Sequence, residues 1–363
     1  MERIGIIGLA NSGKSSLFNA LTEGSALVAP HPFSTTQTNV GIASVPDKRL
    51  DALAELSKSR KVVRTGIEFV DIAGLTAGSS TGEGMGNRFL AGIREVDALC
   101  FVLRAFEDAS VVGSTDPVED LAVLELELVL SDLASLETQL NRRRKASKSD
   151  KSLTKEVDAF QAGLDVLQEG VPIYRSSLDQ EQKSLLKSAF LLTNRPVMAV
   201  INIGEDQISQ GDDLTGLVSE QLSGSKQDKH FPVLSVSVQL EAETSRLDVQ
   251  ERQEILEGLG LGEGALPRVI KAAYASLDRW TFLTTGVQES RAWTFKAGSK
   301  APECAGVIHS DLQRGFIRAE VIHWDELLEI GSWSAARDVG KIRLEGKDYE
   351  VKDGDVLEIR FNV

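Results

Sequence analysis

The sequence predicts an α/β fold, in which a mostly parallel sheet with an inserted helical hairpin is followed by a smaller α+β domain. Short apolar runs alternate with helical patterns over the first part of the chain, as in a parallel sheet covered on both faces. From about residue 117 to 192, apolar residues instead recur at helical spacing. From about residue 279, short strand-like runs alternate with turn signals. We therefore expect domains at 1–278 and 279–363, with the hairpin insertion at about 117–192.

The predicted sheet is built from five apolar segments of the first domain. They are Arg3–Gly8, Ile67–Asp71, Ala98–Leu103, Pro196–Asn202 and Pro232–Ser237. A helix is predicted over Lys14–Thr22, where Leu17, Phe18 and Leu21 share one face. Because parallel strands present their carboxyl ends at one edge of a sheet, we expect a ligand at that edge.

The insertion is predicted to be an antiparallel pair of helices. Leu126, Val129 and Leu133 lie on one helical face, and a second helical pattern runs from Val157 to Leu167. Two interpretations of the basic tip between them stay open, a solvated helix turn or an RNA-binding surface. The tip residues are Arg142, Arg143, Arg144 and Lys145.

The C-terminal domain is predicted to consist mainly of short strands, among them Tyr349–Val351 and Val356–Phe361. Only Asp325–Leu328 and Ser334–Val339 are expected to be helical. Cys304 falls in a turn-rich stretch, which leaves both an inert and a redox-exposed thiol open.

The composition excludes several classes of function. A net charge of −14 argues against a protein whose whole surface binds nucleic acid, so such contact requires a local basic patch. No apolar run reaches about 18 residues, and the start of the chain lacks the features of a signal peptide. Two distant cysteines exclude a disulfide scaffold and a Cys-based zinc site. We expect a cytoplasmic protein with no membrane contact.

A phosphate-binding loop is predicted between the first strand and the first helix. Gly8-Leu-Ala-Asn-Ser-Gly-Lys-Ser15 matches the pattern G-x-x-x-x-G-K-[ST] in that position. Its glycines let main-chain N–H groups form an anion nest beside the helix N-terminus. We expect Lys14 to reach the β- and γ-phosphates and Ser15 to bind Mg²⁺.

A second group of residues suggests a nucleotide-dependent switch. Asp71-Ile-Ala-Gly74 ends a strand, so that Asp71 can hold Mg²⁺ through water and the Gly74 amide can sense a γ-phosphate. Thr35 is a candidate second Mg²⁺ ligand. Leu75 stands where many switch NTPases have a glutamine that orients water, so slow intrinsic hydrolysis is expected.

The residues after the fourth and fifth predicted strands suggest how a base is recognised. Asn202-Ile203-Gly-Glu205 lacks the lysine and aspartate of the guanine-reading motif Asn-Lys-x-Asp. The Asn202 amide both donates and accepts, so it suits adenine as well as guanine. Adenine is therefore expected to be accepted and preferred, with Ser237 and Val238 closing the pocket from the other side. The alternative is that Asn202 only caps its strand.

The chain resembles the YchF/Obg-like ATPase family along essentially its whole length. The matching motifs include Gly8…Lys14-Ser15, Pro32-Phe33-Ser-Thr35, Asp71-Ile-Ala-Gly-Leu75, Gly82-Glu-Gly-Met-Gly-Asn87, Asn202-Ile-Gly-Glu205, Ser237…Glu241-Ala-Glu243, Ala301-Pro-Glu-Cys…His309-Ser-Asp and Arg360-Phe-Asn-Val363. The resemblance implies a GTPase-type domain with a coiled-coil hairpin and a ubiquitin-like β-grasp (TGS) domain. It also implies Mg²⁺-dependent hydrolysis of ATP, with GTP as a second substrate, and association with ribosomes in translation or stress responses.

The same resemblance assigns roles to individual residues. Lys14, Asp71 and Gly74 are expected to serve catalysis, and Ser15, Thr35 and Asp71 to serve the metal. K⁺ is expected beside Asn11, and the large ribosomal subunit or RNA is expected on the TGS domain and the basic tip of a monomer. The nucleotide-binding set is Asn11, Ser12, Gly13, Lys14, Ser15, Ser16, Asn202, Ile203, Glu205, Ser237 and Val238.

The chain departs from the family in two places. Ala10-Asn11-Ser12 replaces the usual Pro-Asn-Val, and the loop at Ala109–Thr115 has no histidine to aid hydrolysis. Three functions are therefore weighed: an ATPase switch, a non-enzymatic adaptor that binds nucleotide as a structural ligand, and a small-molecule kinase. The kinase is least favoured because Thr76–Gly86 contains no arginine for a lid.

Overall fold

The computed structural model describes residues 1–22, 39–72, 92–108, 113–224, 230–245, 247–259 and 261–362. Thr35, Gly74 and Leu75 lie outside these residues. The chain divides into two compact units, one of Met1–Ala43 with Glu68–Ser276 and one of Ser44–Ile67 with Leu277–Val363. None of the described helices combines the length and apolarity needed to cross a membrane.

The described strands and helices are numbered along the chain. The strands are β1 (Arg3–Ile7), β2 (Asn39–Ser44), β3 (Lys61–Val63), β4 (Gly66–Asp71), β5 (Ala98–Arg104), β6 (Val197–Asn202), β7 (Val233–Val236), β8 (Arg279–Thr284), β9 (Glu289–Lys296), β10 (Phe316–His323), β11 (Arg343–Glu345) and β12 (Asp355–Phe361). The helices are α1 (Lys14–Thr22), α2 (Lys48–Leu56), α3 (Pro117–Ser147), α4 (Thr154–Gln168), α5 (Gln180–Leu185), α6 (Gly211–Ser223), α7 (Val238–Thr244), α8 (Val249–Gly258), α9 (Leu266–Ser276), α10 (Ala301–Ile308), α11 (Ser310–Arg314), α12 (Trp324–Ile330) and α13 (Trp333–Asp338).

The first unit contains the predicted parallel sheet. Its described strands are ordered β2-β4-β1-β5-β6-β7, and β4, β1, β5, β6 and β7 run parallel to one another. Every residue of the central strand β5 is buried, as expected for a parallel strand covered on both faces. The predicted α/β class is confirmed, and the predicted helix Lys14–Thr22 agrees with α1 residue for residue.

The predicted helical hairpin is also confirmed. Helix α3 has 31 residues, which corresponds to about 46 Å. Pro117 occupies its first turn, and the Asp116 carboxylate caps it by accepting from the N–H groups of Val118 and Glu119. The buried Leu136 of α3 and Phe160 of α4 belong to the apolar cluster that joins the two helices.

The four residues predicted as one basic tip differ from one another in the structure. Arg143 Nε donates to Glu156 Oε1 at 2.9 Å, and its guanidinium lies 4.1 Å from the Phe160 ring centroid. Arg144 donates to Gln161. Arg142 and Lys145 are exposed and bond to no described residue. Two members of the run therefore fasten the hairpin, and two face solvent.

The second unit includes a segment from far before residue 278, so the single domain boundary expected after that residue is wrong. Its described sheet is ordered β11-β10-β12-β8-β9-β3, and β3 pairs with β9 in parallel. Leu50 and Leu53 of α2 are fully buried in its core. Arg49 Nη1 donates to Asp353 Oδ2 at 2.7 Å. The segment Ser44–Ile67 thus belongs to this unit because it supplies both an edge strand and a core helix.

Two further expectations for the C-terminal region are wrong. Helices α10 and α11 form where no helix was expected. Pro302 fits the first turn of α10, and the Glu303 carboxylate accepts from the main-chain N–H of Lys300 just before it. The His309 side chain caps α11 by accepting from the N–H of Asp311. Tyr349–Val351 is not a strand, and only an isolated bridge joins Glu350 to Lys300. Cys304 is fully buried on α10, and burial raises the pKa of its thiol to about 12.

Candidate nucleotide-binding site

The parallel strands end at residues that the sequence singled out. Strand β1 leads into the phosphate loop, β4 ends at Asp71, β6 ends at Asn202 and β7 is followed by Ser237. Because the strands are parallel neighbours, these residues share one edge of the sheet.

The phosphate loop has the backbone of an anion-binding turn. Asn11 (φ 63°) and Gly13 (φ 93°) adopt the left-handed conformation, which glycine adopts freely and asparagine more readily than most residues. A Cβ at Gly13 would overlap the Asn202 side chain, and a Cβ at Gly8 would overlap the Val102 carbonyl oxygen. Asparagine at position 11 therefore has a backbone explanation that does not involve K⁺.

Lys14 is held inside the loop. Its side chain is buried, and Nζ donates to the Leu9 carbonyl oxygen at 2.6 Å. Burial lowers the pKa of the ammonium group, and the charges of Asp71 and Asp120 act in the opposite direction. A bound phosphate would supply the countercharge that this buried cation needs.

Ser15 and Asp71 form the candidate metal position. Ser15 Oγ donates to Asp71 Oδ2 at 2.8 Å, and neither residue is buried. A hydroxyl and a carboxylate are hard oxygen donors, and Mg²⁺ in phosphate sites takes only one or two protein ligands beside phosphate and water. The donor set therefore fits Mg²⁺.

Asn202 ties the phosphate loop to the start of α7. Its side chain is buried, with Nδ2 donating to the Ser12 carbonyl oxygen at 3.1 Å and Oδ1 accepting from Val238 N–H at 3.2 Å. An amide nitrogen carries two hydrogens, so one remains for a ligand such as a purine nitrogen. The structure thus gives Asn202 a positioning role in addition to the base contact predicted from sequence.

A cavity of about 660 Å³ opens beside the loop, within the size range of small-molecule sites. It brings together the predicted base-contact residues after β6 and β7 with two members of the phosphate loop and its helix. The predicted residues that line it are Gly13, Ser16, Asn202, Ile203, Glu205, Ser237 and Val238.

The rim of this cavity is acidic. No lysine or arginine is among its described lining residues, which include five carboxylates: Glu107, Asp108, Glu205, Asp206 and Glu243. Glu205 is exposed and makes no hydrogen bond to a described residue. Negative charge at this end disfavours phosphate and favours the hydrogen-bond donors of a base.

Two serine hydroxyls of the site are buried without a hydrogen-bond partner among the described residues, Ser12 Oγ and Ser237 Oγ. Ser237 lines the cavity, so a ligand atom can satisfy its hydroxyl. Ser12 is 1% exposed and does not line it. The hydroxyl of Ser12 therefore carries an unmet desolvation cost.

Phe106 is a cavity residue that the sequence reasoning missed. It lies two residues beyond β5 and lines the cavity, and its N–H donates to the Asn202 carbonyl oxygen at 3.1 Å. Its position could have identified it. Strand β5 lies between β1 and β6, and since both of these strands end in site residues, the residues just after β5 belong to the same edge of the sheet.

This fold and site define a P-loop nucleotide-binding protein of the GTPase type, and comparisons with known proteins agree. Residues 3–128 match the family model MMR_HSR1, described as a 50S ribosome-binding GTPase. Residues 280–362 match YchF-GTPase_C, described as a protein of unknown function.

Full-length relatives make the assignment more specific. The chain is 44% identical over 365 residues to the ribosome-binding ATPase YchF of Bacillus subtilis, with 99% of each chain covered. It is 40% identical to the protein of that name from Escherichia coli O157:H7, again with 99% coverage of each. The structure of the Schizosaccharomyces pombe YchF GTPase matches with a TM-score of 0.86 at 30% identity, covering 99% of this chain and 97% of that one. The chain belongs to the YchF family, which confirms the resemblance drawn from its motifs.

Proposed function

We propose that this chain is a Mg²⁺-dependent ATPase that acts as a nucleotide switch on cytoplasmic ribosomes, in translation or in the response to stress. The observation that carries the proposal is the convergence of Lys14, Ser15 and Asp71 on the phosphate loop, beside a cavity large enough for a purine nucleoside. Relatives named as ribosome-binding ATPases support both the substrate and the partner.

The base end of the cavity supports ATP as the main substrate and GTP as a second one. Strict selection of guanine needs a carboxylate held in one position. The Glu205 side chain is exposed, and no described residue bonds to it. The main-chain N–H of Val238 is already taken by Asn202. Ser237 Oγ remains to pair with a 6-amino group, and the acidic rim suits such a donor.

The residues of this chain hold the triphosphate rather than react with it. Lys14 and main-chain N–H groups of the loop would neutralise phosphate charge, and Ser15 and Asp71 would hold Mg²⁺, which would supply further positive charge to the phosphate oxygens. Leu75 cannot orient water, so hydrolysis is slow unless K⁺ near Asn11 or a partner adds stabilisation.

Steady-state phosphate release tests the enzymatic proposal. We expect release from ATP with Mg²⁺ that EDTA abolishes, that Lys14→Met abolishes, and that KCl accelerates relative to NaCl. The non-enzymatic adaptor, which Leu75 and the loop without histidine favour, predicts tight ATP binding with no release above the Lys14→Met background. A tenfold preference for GTP, about 1.4 kcal/mol, would contradict the proposed base selection.

The end of the hairpin supports a contact with ribosomal RNA. We place this contact on the large subunit and expect the protein to bind as a monomer. Four exposed cations that bond to no described residue cluster at the end of α3 and in the turn after it: Arg142, Lys145, Lys148 and Lys151. Arg143 and Arg144 are unsuitable for testing this contact, because their removal would loosen the hairpin itself.

Co-sedimentation with ribosomes tests the contact. We expect Arg142→Glu with Lys145→Glu to weaken co-sedimentation and make it more sensitive to salt. Lys187→Glu with Lys271→Glu is the matched control, since it makes the same change of charge at exposed positions of the same unit, and neither side chain bonds to a described residue. Equal behaviour of the two pairs would remove the hairpin end from the proposal and leave the C-terminal unit as the candidate surface.

A further inference from the structure

We infer that Arg104 is a positioning residue for base recognition, which holds the Phe106 ring in the wall of the nucleotide cavity. The inference rests on the proposed ATP site and concerns only its base end.

Arg104 fixes Phe106 by two contacts of its side chain. Arg104 is the last residue of β5 and is 3% exposed. Its Nε donates to the Phe106 carbonyl oxygen at 3.1 Å, and its guanidinium carbon lies 4.7 Å from the centroid of the Phe106 ring. The main-chain N–H of Phe106 is held separately by the Asn202 carbonyl oxygen at 3.1 Å. Both polar main-chain groups of Phe106 and one side of its ring are thus held by neighbours, Asn202 in the cavity wall and Arg104 behind it.

The chemistry of this arrangement requires a guanidinium group. A planar guanidinium can donate in its plane through Nε while its face lies against an aromatic ring. A lysine ammonium cannot do both from one position. The buried Asp120 accepts from the main-chain N–H of Arg104 at 3.2 Å, which places a carboxylate near this buried cation.

The consequence is an aromatic surface that is already in place when a nucleotide arrives. Stacking of a base on an aromatic side chain contributes sequence-tolerant affinity, and a ring fixed in advance loses little conformational entropy on binding. Arg104 does not line the cavity, so its effect on affinity should pass through Phe106 and depend on the presence of a base.

Calorimetric titration with Mg-ATP and with Mg-tripolyphosphate, which has no base, tests the inference. We expect Arg104→Met to weaken ATP binding about tenfold and to leave tripolyphosphate binding within about twofold. Phe106→Ala should show the same selective loss, and the double variant should lose no more than Phe106→Ala alone. Arg104→Lys keeps the charge and should still show the ATP-selective loss, which covers the case in which Arg104→Met fails to fold.

The control is Arg175→Met, which removes a partly buried arginine that pairs with Glu125 in the hairpin. It should leave both affinities unchanged. An equal loss of ATP and tripolyphosphate affinity in the Arg104 variants, additive effects in the double variant, or unchanged ATP affinity would each overturn the inference. Absence of ATP binding by the unaltered chain would instead overturn the proposed function.

Discussion

Replacing Asn202 with alanine separates the two roles that sequence and structure give this residue. The change removes the bonds to Ser12 and Val238 and leaves a carbonyl and an N–H group without partners. Ser12 and Val238 are each 1% exposed, so each orphaned group costs about 1–3 kcal/mol. Partial access of water should keep the total near 2–4 kcal/mol. We therefore expect the free energy of local opening of the phosphate loop to fall by this amount, even with no nucleotide present.

Hydrogen exchange in peptides covering Gly8–Leu17 measures the opening, and 2 kcal/mol corresponds to about thirtyfold faster exchange. Tripolyphosphate affinity should fall together with ATP affinity, because the loop itself is loosened. Ser237→Ala is the matched control, since it removes a hydroxyl of the same cavity that has no partner among the described residues. Unchanged exchange and tripolyphosphate affinity in Asn202→Ala, with ATP affinity alone reduced, would show that Asn202 only contacts the base.

Three further outcomes are expected. Lys14→Met should stabilise the nucleotide-free protein in thermal unfolding at pH 7. In the unaltered chain, the free energy of unfolding should rise as the pH goes from the lowered pKa of Lys14 towards 10.5. In that range the Lys14 amine is protonated only in the unfolded state, so a higher pH favours the folded state. Ser12→Val should raise stability by about 1 kcal/mol, since it removes a buried hydroxyl without a described partner, and a loss would show that the hydroxyl is bonded. Cys100 and Cys304 should not react with iodoacetamide at pH 8 until the protein unfolds, because burial raises each thiol pKa to about 12; rapid labelling of native protein would contradict this.

Features encoded in short stretches of sequence were predicted well. The helix Lys14–Thr22 follows from a local apolar face, and the phosphate loop follows from a contiguous motif. Helix α10 was missed although its signal was local, because the stretch around Cys304 was interpreted as rich in turns. Proline at the first turn with Glu303 behind it is a helix-start pattern.

Features that depend on distant partners could not be read from the sequence. Nothing in the run of basic residues shows that Arg143 folds back onto Phe160 while Arg142 stays free. The bond from Asn202 Nδ2 to the Ser12 carbonyl oxygen joins residues 190 positions apart. In both cases the sequence identifies the residue type and its region, and only the fold decides which neighbour takes its hydrogen bonds.

The second unit is built from two segments that lie far apart in the sequence, and this affects its folding during synthesis. Leu50 and Leu53 leave the ribosome early, but the strands that cover them begin at Arg279. Roughly 210 residues separate Ile67 from Leu277, which at about 5–20 residues per second is a delay of roughly 10–40 s. During this interval the newborn polypeptide carries an uncovered apolar helix. A fragment cut at residue 279 would lack both that helix and the strand that protects the edge of β9, so its aggregation would reflect where it was cut rather than the stability of the native unit.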